Sequence, residues 1–235
     1  WGSGDWTATN PDGDDDDDGD GDGQSEEEAL PIPPIPGLPK VKTEWAPVLN
    51  RDKFGEWMDM LALPGGIGVE VGVGHADFAV QVLQGWTRCE RYVLVDPFDE
   101  HDVAQAAARH AFVLRLIQPY ADKEIARLFK GPHATAASHI KPASVAFLYL
   151  DAARHDYESV ARDLRLFWPK IMPGGVLAGH DYTVAHSGTA IAVNEFARAQ
   201  GLTLMLTKVQ APRADVLGHR IPPCCPTWMV RKPAG

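Results

Sequence analysis

Residues 67–83 constrain this chain more than any other stretch. Ile67-Gly68-Val69-Glu70-Val71 is an apolar strand with one acidic residue near its end. Gly72-Val73-Gly74 then turns the chain into a helix with Phe78, Ala79, Val82 and Leu83 on one face. Two glycines one residue apart let backbone amides approach a ligand that a Cβ would hold off. Glu70 stands ready for a positive or hydroxyl-bearing group on that ligand. Strand, glycine turn and helix in this order mark a nucleotide-type cofactor site on an α/β sheet.

The rest of the chain repeats the unit. Arg91–Asp96 before Pro97, Ile125–Lys130, Val145–Asp151 and Val176–Asp181 read as strands, the last preceded by a Pro173-Gly174-Gly175 turn. Helices are expected over Asn50–Leu61, from about His101 to Ile117, over Tyr157–Trp168 and over Gly188–Gln200, before two final strands, Leu202–Lys208 and Trp228–Arg231. Tyr157, Val160, Ala161, Leu164, Phe167 and Trp168 form one apolar stripe and read as core. Val145–Leu150 is apolar throughout, as a strand covered on both faces should be. Such alternation requires right-handed crossovers. It predicts an α/β fold with a doubly wound, mostly parallel sheet of seven strands. Ligands on these sheets bind at the carboxyl ends of the strands, where Glu70, Asp96, Asp151 and His180-Asp181 all fall.

Composition divides the chain. Residues 1–39 hold nine Asp and three Glu with no Lys or Arg, leaving 22 basic against 20 acidic side chains in the remainder. The net charge of −10 therefore belongs to the tail, and the body has no basic stripe to neutralise phosphates, which argues against nucleic acid as partner. Residues 1–30 read as a disordered acidic tail, 31–44 as a proline-rich linker and 45–235 as the folded domain. Asp16, Asp18, Asp20, Gly21 and Glu27 match a calcium-loop pattern, but Gly23 stands at the position needing an apolar residue and no flanking helix is possible. No apolar run approaches the ~20 residues of a membrane span. Cys89, Cys224 and Cys225 show no metal-ligand spacing and no disulfide framework, so reduced structural thiols are expected. A chain beginning on Trp1 reads as a fragment or a processed form, with cytoplasm and organellar lumen both open.

The glycine turn is not a nicotinamide dinucleotide fingerprint, because Asp77 occupies the place of the third glycine, and no Gly-Lys-Ser/Thr follows it. Over nearly all of residues 45–232 the pattern instead resembles class I S-adenosylmethionine-dependent methyltransferases. Methyltransferase family 24 is the nearer likeness. Its Asp-x-x-His-x-Tyr-Glu stretch is similar to Asp151-Ala-Ala-Arg-His155-Asp-Tyr157-Glu158, and its strand-five motif to Gly174-Gly175-Val-Leu-Ala-Gly-His180-Asp181-Tyr182. In this chain the His follows the strand-four Asp by four positions rather than three.

The resemblance implies S-adenosyl-L-methionine as cofactor and a hydroxyl on a small molecule or glycan as acceptor. Glu70, Gly72, Val73 and Gly74 would then cradle the methionine moiety. Asp96, followed by Pro97, would accept hydrogen bonds from the ribose hydroxyls, and Asp151 would border both cofactor and acceptor. An imidazole is half-neutral near working pH, which makes His155 the first candidate for general base and His186 the reserve. Relatives that methylate catechols and macrolides take a divalent metal at the ends of strands four and five, here Asp151, His180 and Asp181. Magnesium or manganese is the expectation if a metal is used, manganese being the better match to an imidazole. The alternatives are a hydroxylase-like relative on the same fold and a non-catalytic cofactor-binding module.

Overall fold

A computed structural model describes residues 29–64, 66–99, 101–151, 154–209, 213–221 and 224–235. The aspartate-rich tail and its calcium-loop pattern lie outside the described residues. The first half of the chain forms β1 (Thr43–Trp45), α1 (Phe54–Leu61), β2 (Ile67–Val71), α2 (Asp77–Gly85), β3 (Arg91–Asp96), α3 (Val103–Ala121) and β4 (Ala126–Lys130). The second forms α4 (His133–His139), β5 (Val145–Leu150), α5 (Tyr157–Phe167), β6 (Ile171–Gly179), α6 (Ser187–Ala199), β7 (Leu204–Leu206), a small hairpin of β8 (Arg213–Ala214) and β9 (Arg220–Ile221), and β10 (Trp228–Arg231).

One sheet runs in the order β1-β7-β10-β6-β5-β2-β3-β4. Only β10 is antiparallel to its neighbours; the other pairs are parallel. Helices cover both faces, so the doubly wound arrangement expected from the alternation is present. Side chains of β5 alternate: Phe147 and Tyr149 join the aromatic layer of Phe54, Phe78 and Tyr92, while Leu148 and Leu150 pack with Leu164, Phe167 and Val193 on the other side. Both layers exclude water, and the hydroxyl of Tyr149 is met by the Thr227 hydroxyl at 3.3 Å.

The sheet has eight strands where seven were expected. The extra one is β1, whose Thr43 lies opposite Leu204 of β7. Three residues at the end of a proline-rich run carry too little alternation to stand out in sequence. The run itself is anchored: Ile35, Leu38 and Val41 pack on the core, and the Asn194 side-chain amide donates to the Pro39 carbonyl at 2.8 Å.

Other differences have local causes. Pro173-Gly174-Gly175 is not a turn before the strand but lies within β6. The register moves from Val145 opposite Ile171 to Phe147 opposite Val176, so residues 172–175 bulge out of the ladder. Helix α4 escapes a pattern search because its seven residues, His-Ala-Thr-Ala-Ala-Ser-His, carry no large apolar side chain. Helix α3 runs on through Pro119 to Ala121. Tyr157, expected in the core, is instead the exposed first residue of α5, its hydroxyl donating to Glu195 at 2.6 Å. Cys224 and Cys225 are joined in a disulfide between adjacent residues, whereas Cys89 is free and buried, its thiol pushed up to about 12 by burial.

Gly179 ends β6 directly beneath the Trp228 indole. A Cβ there would meet Trp228 Cζ2 at 2.5 Å and the Leu150 carbonyl at 2.6 Å. The same indole donates from Nε1 to the His180 carbonyl at 3.1 Å. Gly179→Ala should therefore cost about 2 kcal/mol through overpacking and lower the melting temperature by roughly 4–8 °C in a thermal melt.

Candidate active site

The parallel strands β2, β3 and β5 deliver their exits to one edge, and β6 delivers His180-Asp181 beside them. Register fixes the pairing: Leu150 lies opposite Gly179, so Asp151 and His180 leave the sheet as neighbours. The Asp151 amide donates to the Val71 carbonyl at 2.8 Å, which ties the end of β5 to the end of β2.

Along this edge runs an open cleft of about 640 Å³, lined at one end by Gly72, Gly74, Asp96, Pro97 and Arg109 and at the other by Asp151, Arg154, Ser159 and Arg162. That size accommodates a nucleoside-type cofactor. Gly72 and Gly74 have φ of 86° and 53°, a region that favours glycine, and a Cβ on Gly74 would enter open space along the cleft. The residues present thus fit a cofactor lying over the glycine turn. Val73 contributes its backbone: its amide donates to Asp96 Oδ2 at 2.9 Å. Glu70 is placed beneath the cleft rather than in its wall. It is buried, accepts from the Tyr92 hydroxyl at 3.2 Å, and burial pushes its carboxyl well above the ordinary value against the pull of Arg51.

Asp96 is the best-connected carboxylate at this end. Oδ1 accepts from the Phe98 amide at 2.8 Å and Arg109 Nη2 at 3.0 Å, while Oδ2 accepts from Val73 and from Arg109 Nη1 at 3.2 Å. Arg109 also reaches the Gly74 carbonyl at 2.9 Å and lies 4.4 Å over the Phe98 ring. Sequence reasoning missed Arg109 and also Arg51, whose guanidinium is 3.5 Å from Asp151 Oδ2 and 4.9 Å over the Phe78 ring. Burial works against the Arg51 charge, but Tyr149, Asp151 and Glu70 more than restore it. His133 also lines the cleft, with Nδ1 2.7 Å from the buried Asp163 carboxylate.

The other end is organised by Asp181. His155 Nδ1 is 2.9 Å from its Oδ2, while His180 Nδ1 at 3.1 Å and His186 Nε2 at 3.7 Å approach Oδ1. The His155 and His186 rings lie 4.6 Å apart, and His180 Nδ1 is 3.9 Å from Asp151 Oδ1. All the polar residues singled out at the ends of strands four and five therefore meet here. Burial would raise the Asp181 carboxyl, yet hydrogen bonds to His155 and His180 hold it far below the usual carboxylate range. The bond to Asp181 in turn raises His155, against partial burial. His155 and Asp181 both take left-handed backbone, φ 46° and 60°, a strain found where geometry is over-determined. Of the three residues expected to hold a cation, His180 and Asp181 cluster with Cys224 and Cys225 among the described residues, and Asp151 lies outside that cluster.

A family model for a methyltransferase domain matches residues 69–182, from β2 to just beyond β6. No curated protein matches the chain significantly. Among solved structures, a putative O-methyltransferase from Klebsiella pneumoniae is similar at TM-score 0.50 and 16% identity, over 77% of this chain and 80% of the other. An O-methyltransferase from Bacillus cereus in complex with SAH is similar at TM-score 0.50 and 13% identity, over 76% and 80%. A putative rRNA-methylase from Clostridium thermocellum gives TM-score 0.52 and 14% identity, over 81% and 100%. At such identities the structures speak for the fold, and the family match marks residues 69–182 as similar to a methyltransferase domain. In its family match over residues 69–182 and in its fold, the chain is similar to class I S-adenosylmethionine-dependent methyltransferases. No helix among the described residues is long and apolar enough to cross a membrane.

The His155–Asp181 pair has a pH signature. The folded value of His155 lies above the ~6.5 of an unfolded chain. Its contribution to stability is thus complete below that pH and is lost as the pH rises through the raised value. Asp181, held low, contributes through the same pair and is counted once. In denaturant titrations of chelator-treated protein, His155→Gln should destabilise most below pH ~6.5 and progressively less above it.

Proposed function

We propose that the chain methylates a hydroxyl group on a small molecule or glycan. The observation that carries this reading is the imidazole of His155, hydrogen-bonded to Asp181 beside Asp151, the residue that borders both the cofactor cleft and this cluster. Bound S-adenosylmethionine supplies a methyl group on a positively charged sulfur. The glycine turn and Asp96 would hold that cofactor, and the mixed charges of Asp99, Asp151, Arg109, Arg154 and Arg162 along the cleft suit its zwitterionic amino-acid end. His155 would accept the acceptor's hydroxyl proton on Nε2, with Nδ1 held by Asp181, which fixes the tautomer and stabilises the imidazolium that forms. His186 stands behind it as second acceptor. Asp151, oriented by Arg51, would position the acceptor hydroxyl.

The test is transfer of labelled methyl from S-adenosylmethionine to a panel of phenols, polyols and sugars by the full chain. His155→Gln should lower kcat by about 10²–10⁴-fold while binding of S-adenosylhomocysteine persists. Equal turnover in His155→Gln, or label appearing only on protein or RNA, contradicts the reading.

A further inference from the structure

The hairpin of β8 and β9 leads into Cys224 and Cys225, and β10 then pairs with β6 through Trp228 opposite Gly179. That pairing carries the two cysteines back to the exit of β6. One donor atom from each of His180, Asp181, Cys224 and Cys225 lies within 4.8 Å of every other. Asp181 Oδ1 is the meeting point: His180 Nδ1 is 3.1 Å from it and Cys225 Sγ 3.5 Å. We propose that, once the Cys224–Cys225 bridge is reduced, these four side chains bind one zinc ion.

The chemistry of the set selects the metal. Two thiolates, an imidazole and a carboxylate form a soft tetrahedral combination suited to zinc and poorly suited to magnesium or calcium. This differs from a hard-cation site built on Asp151, which remains engaged with Arg51. Bonds of about 2.0–2.3 Å to a tetrahedral zinc put neighbouring donors roughly 3.3–3.8 Å apart. The contacts of Asp181 Oδ1 with His180 and Cys225, at 3.1 and 3.5 Å, are already close to that spacing. The two sulfurs must separate, which breaking their bond allows, and the remaining donor pairs, all within 4.8 Å, must close to that spacing. A second, independent observation concerns His180. Its Nε2 is buried with no hydrogen-bond partner among the described residues, so none of them fixes the tautomer of the ring. The ring is therefore free to take the tautomer that offers its Nδ1 lone pair to the cluster.

A phosphine reductant breaks the S–S bond and becomes its oxide, with water supplying the oxygen and the two protons that end on the cysteines. Zinc then displaces both thiol protons to solvent, since only thiolates ligate. The site depends on this donor set and not on methyl transfer.

The test uses the full chain, stripped by chelator and titrated with cobalt(II) and then zinc, with and without phosphine. The reduced chain should take up one equivalent of cobalt with a thiolate-to-cobalt charge-transfer band. One equivalent of zinc should displace it, and excess magnesium should not. The bridged chain should show no such band. Cys224→Ser combined with Cys225→Ser should abolish the band, and Cys89→Ala should keep it. Reduced wild type that gives no band, even if it binds cobalt on the acidic tail, overturns the proposal. So does a band that survives in the double serine variant. The comparison of bridged with reduced wild type needs no variant to fold. Binding of S-adenosylhomocysteine, followed in the same samples, reports on the transferase reading separately.

Discussion

Every functional group of this chain reaches its place because β2, β3, β5 and β6 run parallel and in fixed register. Parallel strands leave the sheet on the same side, so chain exits separated by up to 110 positions in sequence, from Glu70 to His180, share one edge. Two contacts hold the register where it matters. The Asp151 amide bonds to Val71, and the Trp228 indole closes over Gly179 and bonds to the His180 carbonyl. Both act on backbone, which leaves the Asp151 and His180 side chains available to the site.

The two ends of the edge solve different electrostatic problems. Asp96 is satisfied by two amides and a bidentate arginine, a geometry that fixes the turn under the cofactor cleft. Asp181 is satisfied by imidazoles, which are themselves proton carriers. A buried carboxylate demands partners to offset lost hydration. Arginine holds the Asp96 carboxylate in one place, and histidines surround Asp181 with groups that can carry protons. Between them Arg51 lies over Phe78 and touches Asp151.

Much of this was legible in the sequence because it follows short-range rules. Period and length gave the alternation, glycines marked the turn, and acids at strand ends marked the edge. Asp96, Asp151, His155, His180, Asp181 and His186 all stand on that edge. What escaped detection depends on tertiary approach. Arg109 comes from the middle of α3 and Arg51 from the turn before α1, and neither is set apart from other basic residues by its neighbours. Cys224 and Cys225 join His180 only because β10 runs antiparallel beside β6, a pairing that sequence spacing does not encode. Glu70 illustrates the limit from the other side. Its position near a strand end was evident, but its neighbour Tyr92 and its depth beneath the cleft follow from packing.

The central claim is that the cleft over Gly72 and Gly74 binds S-adenosylmethionine through Asp96. Calorimetric titration of the full chain with S-adenosylhomocysteine tests it most directly. Two hydrogen bonds to a carboxylate are each worth about 1.5–3 kcal/mol, so Asp96→Ala should weaken binding by roughly 100-fold or more while the chain stays folded. Saturable one-to-one binding with that loss is the predicted result. A folded wild type that binds no S-adenosylhomocysteine, or an Asp96→Ala variant that binds it equally well, contradicts the account.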